Sequence, residues 1–203
     1  MSKVYLVSYC DDSDIKYLKS RLDSDDIVVG VDQGIAGLTA NNVPFQYGIG
    51  DFDSFDECLL SDSIKIIKLD REKDCTDLEY AVHYFAKHEI CIINNLQGRI
   101  DHTLAALSLL ESYDNTYIMS AKQEIHLAKK HFSANLPIGT TISLIPISEQ
   151  VKNIKTQGLY YPLENETLYR KKSRGISNKN VDNFIDILFL DGELLIVINK
   201  ELS

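Results

Sequence analysis

Several features typical of membrane and disulfide-rich proteins are absent from this chain. No apolar stretch approaches the ~20 residues that a membrane-spanning helix needs, and the first residues contain no apolar signal segment. The four cysteines are scattered and form no Cys-x-x-Cys pair, which favours free thiols over a disulfide framework or a zinc site. These absences predict a soluble, cytoplasmic protein.

Basic residues are also scarce. Lysine and arginine number 21 against 30 aspartates and glutamates, so the net charge is −9, and the only dense basic run is 170–174. A negative field repels duplex DNA and anionic membranes. We therefore expect neither a nucleic-acid nor a membrane partner.

Common motifs for handling phosphates and esters are missing as well. The chain has no G-x-x-x-x-G-K-[ST] loop and no Gly-x-Ser-x-Gly elbow, which argues against a P-loop kinase and an α/β hydrolase. The segment Gly48-Ile49-Gly50 lacks the third glycine of a dinucleotide-binding fingerprint.

The first 120 residues instead alternate short apolar runs with helix-like stretches, a pattern typical of a mostly parallel sheet covered by helices. The predicted strands are Val4–Val7, Ile27–Val31, Tyr47–Gly50, Ile64–Leu69, Cys91–Ile93 and Thr116–Ser120. The predicted helices are Ile15–Leu22, Asp77–Lys87 and Thr103–Tyr113.

After about residue 124 the helical period disappears, and β-branched and aromatic residues become frequent in Thr140–Ile147, Leu159–Leu163 and Phe184–Ile198. Asp191-Gly192 lies between two apolar runs and predicts a two-residue hairpin. We therefore predict a three-layer α/β domain over residues 1–124 and a smaller, sandwich-like all-β domain over residues 125–203.

Acidic residues follow the predicted parallel strands at their carboxyl ends, where open α/β sheets bind ligands. They are Asp32, Asp51, Asp53, Asp70, Asp74, Asp77 and Asp101. So many carboxylates at one edge would repel each other unless a cation were bound. Because Mg²⁺ shares carboxylates with substrate phosphates, a magnesium–nucleotide site is predicted, with Lys68, Arg71, Lys73 and Arg99 available to phosphate oxygens.

Each of these residues also has a structural interpretation. A single aspartate such as Asp32 is more often a turn residue than a metal ligand. Thr76 and Glu79 have the spacing of a helix capping box, which we favour for both. His102, at a strand-to-helix junction, is equally compatible with a structural hydrogen bond.

Four acidic motifs together resemble the thiamine pyrophosphokinase family in order and spacing. They are Asp32-Gln33-Gly34, Gly50-Asp51-Phe52-Asp53-Ser54, Lys73-Asp74-Cys75-Thr76-Asp77-Leu78-Glu79 and Gly98-Arg99-Ile100-Asp101-His102. The segments Gly158-Leu159-Tyr160-Tyr161-Pro162-Leu163 and Gly175-Ile176-Ser177-Asn178 extend the resemblance into the β-rich half. It covers nearly the whole chain.

The resemblance implies a magnesium-dependent enzyme that transfers the pyrophosphoryl group of ATP to the hydroxyl group of thiamine. It implies an α/β nucleotide domain, a β-sandwich, and a homodimer with active sites at the subunit interface. It further implies Mg²⁺ ligands at Asp51, Asp53, Asp77 and Asp101; nucleotide contacts at Asp32, Gly34, Asp51, Asp53, Ser54, Lys73, Arg99 and His102; and substrate contacts at Thr76, Asp77, Ser177 and Asn178. Asp77, Asp101 and Arg99 become the catalytic candidates, and either carboxylate could accept the proton of the alcohol.

The chain departs from the family pattern mainly in its glycines. Gln33 replaces a usual glycine, Asn94-Asn95-Leu96-Gln97 replaces a glycine-rich stretch, and Ala106 replaces an asparagine. We expect these changes to affect nucleotide affinity or base preference more than the reaction, because the charged residues are retained. The chain has no tryptophan, so stacking on thiamine would fall to tyrosine or phenylalanine.

Two other functions remain open at this stage. One is a sensor of thiamine or nucleotide that has no turnover, and the other is a different metal-dependent phosphotransferase on the same scaffold. Retention of all the motif acids disfavours the sensor.

Overall fold

The computed structural model describes residues 2–53, 60–94, 96 and 98–200. The chain divides into two compact units, Met1–Ala121 and Lys122–Ser203. The division falls slightly before the predicted boundary after residue 124, which would have cut through the first strand of the second unit.

The first unit contains a parallel sheet with the strand order β4-β3-β2-β1-β5-β6. Its strands are β1 (Lys3–Val7), β2 (Ile27–Val31), β3 (Tyr47–Gly50), β4 (Lys65–Lys68), β5 (Glu89–Ile93) and β6 (Thr116–Met119). Its helices are α1 (Asp12–Lys19), α2 (Gln33–Ala40), α3 (Asp77–Tyr84) and α4 (Ile100–Ser112). The predicted α/β class with a parallel sheet is confirmed.

Helices cover both faces of this sheet. On one face, Ile15 of α1 and Leu38 of α2 share an apolar cluster with Tyr5 and Val7. The alternating residues of the same strand, Val4 and Leu6, point to the other face and are fully buried, and helix α3 contacts β1, β2 and β3 as well as α4. The central strands are therefore buried on both sides, as parallel sheets generally are.

Helix α2 was not predicted from the sequence. It carries two apolar core residues, Ile35 and Leu38, and two glycines interrupt its helical propensity. It packs very close to the sheet, because a methyl group added at Gly34 would lie 1.8 Å from the carbonyl oxygen of Val7. Gly34 is therefore needed for the fold itself.

The second unit consists of two antiparallel sheets with the strand orders β12-β9-β14-β7 and β11-β10-β13-β8. Its strands are β7 (Gln123–Ala128), β8 (His131–Asn135), β9 (Thr141–Pro146), β10 (Gln150–Gln157), β11 (Glu164–Tyr169), β12 (Asn178–Lys179), β13 (Phe184–Leu188) and β14 (Leu194–Asn199). Ile142 and Ile196 from one sheet and Ile154 and Ile187 from the other share one buried core. The predicted sandwich-like all-β unit is confirmed.

The predicted hairpin at Asp191-Gly192 is wrong. Strand β13 pairs with β10 and β8, whereas β14 pairs with β7 and β9, so the two strands lie in different sheets. The connection packs onto the start of β10, because Asp191 forms an isolated bridge with Lys152 and a methyl group at Gly192 would lie 2.5 Å from the carbonyl oxygen of Gln150. Each strand pairs with distant strands of its own sheet and buries its apolar face in the core between the two sheets, which outweighs the local turn preference.

Two further features concern the helices and the cysteines. Within the described residues, no helix combines the length and apolar character needed to cross a membrane. Cys10, Cys75 and Cys91 are free cysteines.

Replacing Gly34 with alanine tests the close approach of α2 to the sheet. Helix propensity alone would make this change stabilising by up to ~1 kcal/mol. We expect the opposite sign, a loss of about 3 kcal/mol, because the added methyl group meets backbone that cannot move aside. Denaturant unfolding measures the difference.

Gly139 provides the matched control. It has φ +89, and no atom would lie within 4 Å of an added methyl group, so Gly139→Ala should cost only about 1–2 kcal/mol of backbone strain. A Gly34→Ala protein as stable as the original would contradict the close packing of α2.

Candidate active site

Asp32 lies at the carboxyl end of β2, where the chain turns into α2. Its φ of 50 lies in a region that side chains disfavour, and its carboxylate does not cap the helix that follows. The backbone N–H of Asp32 donates a hydrogen bond of 2.9 Å to the carbonyl oxygen of Ile49 in β3. The sheet therefore holds the residue in place, and the carboxylate is not used by its own helix.

The segment after β3 brings two more carboxylates to the same edge. Asp53 donates its backbone N–H to the Oδ1 atom of Asp51 at 3.1 Å, and Phe52 between them has a φ of 57. The guanidinium of Arg71 lies 2.9 Å from Oδ2 of Asp53 and 3.9 Å from Oδ2 of Asp51. Arg71 thus offsets part of the charge of both.

Helix α3 supplies the next carboxylate. The hydroxyl group of Thr76 accepts the backbone N–H of Glu79 at 3.1 Å, so the predicted role of Thr76 as the helix cap is confirmed. Asp77 follows as the first helical residue, and the ammonium group of Lys73 lies 2.6 Å from its Oδ1 atom. The hydrogen bond to Asp77 raises the pKa of Lys73, which keeps the lysine charged beside it.

Gly50 shows how closely these parts meet. A methyl group added there would lie 3.5 Å from the Cα atom of Asp32 and 3.7 Å from Oδ2 of Asp77. The pKa of Asp32 is raised, first by burial and then by the charges of Asp77, Asp51 and Asp53. Asp32, Asp51, Asp53 and Asp77 therefore form one acidic cluster.

A pocket of about 230 Å³ opens beside part of this cluster. Its lining residues come from the carboxyl ends of β1, β2 and β5 and from the helical side: Ser8, Val31, Asp32, Lys73, Thr76, Asp77, Leu78, Asn94, His102, Ala105 and Leu109. Five predicted site residues, Asp32, Lys73, Thr76, Asp77 and His102, are thus brought together.

Arg99 and Asp101 do not line the pocket. They form an exposed pair at the start of α4, in which the guanidinium donates to Oδ1 at 3.2 Å and to Oδ2 at 2.6 Å. The hydrogen bond from Arg99 lowers the pKa of Asp101. The predicted place of Asp101 in the metal site stays a prediction.

The acidic cluster fits a hard divalent cation in the chemistry of its oxygen donors. The raised pKa of Asp32 also shows that negative charge is in excess there. Among the residues that the structure describes, however, no three histidine, cysteine or acidic side chains already converge as a metal-binding group. From the sequence, we expected a bound metal to offset the charge of these carboxylates. In the structure, Arg71 and Lys73 lie beside them and supply positive charge.

The two candidates in the β unit differ in their surroundings. Ser177 is exposed, has a φ of 57, and donates its backbone N–H to the hydroxyl group of Ser143 at 3.0 Å. Asn178 is buried, and its amide accepts from the N–H of Tyr161 at 3.0 Å and donates to the carbonyl oxygen of Tyr161 at 2.8 Å. Asn178 therefore positions the backbone of Tyr161.

Two polar residues of the pocket, Ser8 and Asn94, were not predicted as site residues from the sequence. Both directly follow parallel strands, β1 and β5, so the rule that identified the acids also applied to these neutral side chains. Another candidate, Ser54, lies outside the described residues.

Comparison with known proteins identifies the family. Residues 18–120 match the model of the thiamin pyrophosphokinase catalytic domain, and residues 122–192 match that of the thiamin pyrophosphokinase vitamin B1 binding domain. The boundary between these matches coincides with the division of the chain after Ala121.

Individual relatives agree with these matches. The chain is 28% identical over 202 residues to thiamine pyrophosphokinase of Bacillus subtilis, covering 89% of this chain and 90% of that protein. It is 26% identical over 147 residues to thiamin pyrophosphokinase 1 of Caenorhabditis elegans, a match that spans 64% of this chain and 60% of the worm protein.

Solved structures show the same fold. The crystal structure of the Bacillus subtilis thiamine pyrophosphokinase superposes with a TM-score of 0.88 at 23% identity, covering 99% of this chain and 100% of that one. Since the two family models together span most of the sequence, the chain belongs to the thiamin pyrophosphokinase family.

Proposed function

We propose that this protein transfers the pyrophosphoryl group of ATP to the hydroxyl group of thiamine, giving thiamine diphosphate and AMP. The observation that carries this proposal is the acidic cluster at the carboxyl edge of the parallel sheet, within the stretch that matches the catalytic-domain model. Such a cluster, interleaved with arginine and lysine, suits a substrate with a charged polyphosphate chain.

In the proposed reaction, the alcohol oxygen of thiamine attacks the β-phosphorus of ATP. A new bond forms between that oxygen and the β-phosphorus, and the bond from the β-phosphorus to the α–β bridging oxygen breaks. The bridging oxygen leaves with AMP, and the proton of the alcohol passes to a carboxylate. We assign this proton to Asp77 rather than Asp101, because Asp77 lines the pocket and Asp101 does not.

The basic side chains have a second role in this scheme. Arg71 and Lys73 pair with the cluster in the protein alone, and phosphate oxygens compete for the same guanidinium and ammonium groups. Arg99, exposed beside the pocket residue His102, can turn toward the phosphates and stabilise charge on the transferred group. When Arg71 and Lys73 turn to the phosphates, the carboxylates lose their positive partners. Another positive charge must then take their place.

We propose that Mg²⁺, which Asp51, Asp53 and Asp77 would hold, supplies this replacement charge. When bound, it would neutralise charge on the transferred phosphoryl oxygens. Asp101 remains a candidate fourth ligand.

Thiamine recognition is assigned to the β unit, which matches the vitamin B1 binding domain. Ser177 is exposed and its backbone is fixed by Ser143, so its hydroxyl group is available to a ligand. Tyr160 and Tyr161, exposed and packed edge to face at 4.8 Å, are aromatic side chains that can stack on the vitamin in this chain without tryptophan. Asn178 contributes by positioning Tyr161.

Assembly and location are part of the same proposal. We place the active sites at the interface of a homodimer, as the family resemblance implies. A cytoplasmic location is consistent with the three free cysteines of the described chain, Cys10, Cys75 and Cys91.

The proposed activity is tested by measuring AMP release from ATP. We expect AMP to form only when thiamine and Mg²⁺ are both present, and to stop when excess EDTA removes the metal. AMP released at the same rate without thiamine would contradict the proposed acceptor. Absence of AMP under all conditions would instead favour a binding protein without turnover.

Asp53→Asn tests the acidic cluster with little change in shape. It removes one carboxylate of the proposed metal site, so we expect kcat to fall by about 10²-fold or more. Asp62→Asn, at an exposed position just before β4, is the matched control and should leave kcat unchanged. If Asp53→Asn retains the original kcat, Asp53 is only a turn residue.

A further inference from the structure

Two neutral polar side chains lie next to each other in the pocket, at the carboxyl ends of β1 and β5. Val7 of β1 pairs with Ile93 of β5, so the next residues, Ser8 and Asn94, are neighbours across the two strands. Both line the pocket, with exposed fractions of only 8% and 1%. We call Ser8 and Asn94 the neutral pair.

Among the residues that the structure describes, the amide of Asn94 has no hydrogen-bond partner. Both its Oδ1 and Nδ2 atoms are buried and make no hydrogen bond, although its backbone N–H donates to the carbonyl oxygen of Met119 at 3.2 Å. A buried amide left unpaired lowers stability. Such a group at a pocket wall therefore indicates a partner that arrives with a ligand.

The strand order separates Asn94 from Asp32. Asp32 follows β2, and β1 lies between β2 and β5, so the ends of β2 and β5 are about 10 Å apart. This separation places the acidic cluster, with its proposed metal and the phosphates that the metal would bind, at the β2–β3 side. The β5 side of the pocket is left for an uncharged part of a ligand.

The surroundings of the neutral pair also fit a flat ring. Leu78 of α3 and Ala105 and Leu109 of α4 contribute apolar side chains to the same pocket. Binding sites for small molecules typically combine apolar walls with a few oriented polar groups. A carboxamide offers one donor and one acceptor side by side, which matches a ring nitrogen next to an amino group.

We propose that Asn94, supported by Ser8, binds the edge of an amino-substituted nitrogen heterocycle, with a small rotation of the side chain bringing its amide to the pocket surface. This inference rests on the proposed function, whose two substrates both carry such an edge, on the adenine of ATP and on the aminopyrimidine of thiamine. The separation from the acidic cluster favours adenine, because the phosphates of ATP lie at the other end of the same molecule.

The experiment compares binding of each substrate alone, by calorimetry, to the wild-type protein and to Asn94→Leu. We expect Asn94→Leu to bind ATP about tenfold or more weakly, the range found for paired amide contacts to adenine. Purine riboside triphosphate, which lacks the amino group but keeps the ring nitrogen, should show a smaller difference in affinity between the two proteins than ATP does. The same comparison is made with thiamine and an analogue without its amino group.

Thermal stability separates ligand recognition from a structural role. Asn94→Leu removes two unpaired polar atoms, so we expect the melting temperature of the unliganded protein to rise by about 2–4 °C. The matched control is Thr116→Val at the start of β6, where the buried hydroxyl group is also unpaired. It should raise the melting temperature and leave both affinities unchanged.

Selective loss of ATP affinity supports the inference with adenine as the ligand group, and selective loss of thiamine affinity supports it with the aminopyrimidine. Unchanged affinity for both substrates would overturn it. If the leucine variant does not fold, Asn94→Ala, which adds no volume, is read in the same way. Because binding is measured without turnover, failure of the proposed reaction would appear separately, as absence of AMP from the wild-type protein.

Discussion

Repulsion between carboxylates at one edge of the parallel sheet is the constraint on which the rest of this site depends. Asp32, Asp51, Asp53 and Asp77 come from three separate segments, and the raised pKa of Asp32 records their mutual repulsion together with its burial. Arg71 and Lys73 offset part of that charge. A substrate that attracts these two basic side chains must therefore bring positive charge with it, which suits a nucleotide bound together with a divalent cation.

Backbone conformations that side chains disfavour occur in the segments of the proposed site. Six described residues other than glycine have positive φ, and three of them are asparagines, which tolerate this conformation. The other three, Asp32, Phe52 and Ser177, all lie in segments of the proposed site. Strain of this kind persists only where the surroundings determine the conformation, and the close contact between Gly34 and Val7 shows how tightly α2 is held.

Much of the fold could be predicted from the sequence, because alternation of apolar runs and helical periods is a local signal repeated along the chain. The pairing of β13 and β14 could not, since their partners are distant strands. The local turn signal at Asp191-Gly192 therefore predicted a hairpin that the structure does not contain. Helix α2 was missed because it is short and contains two glycines. Its glycines reflect close packing, which is a tertiary property.

The site was predictable to a similar degree. Placing acids at strand ends identified Asp32 and Asp77, because the carboxyl ends of parallel strands meet at one edge. The same rule could not show that Arg71 would pair with Asp53, or that Asp101 would pair with Arg99 outside the pocket. It also passed over Asn94, whose unpaired amide becomes visible only once its neighbours are known.

Arg71 and Lys73 offset part of the charge of the acidic cluster, and we propose that a metal takes over this role when a nucleotide binds the two basic side chains. Calorimetric titration of ATP into the protein without thiamine, in EDTA and in excess Mg²⁺, measures this coupling directly. We expect at least tenfold tighter binding with Mg²⁺, equivalent to about 1.4 kcal/mol. Equal or weaker binding of ATP in Mg²⁺ would contradict the proposed coupling.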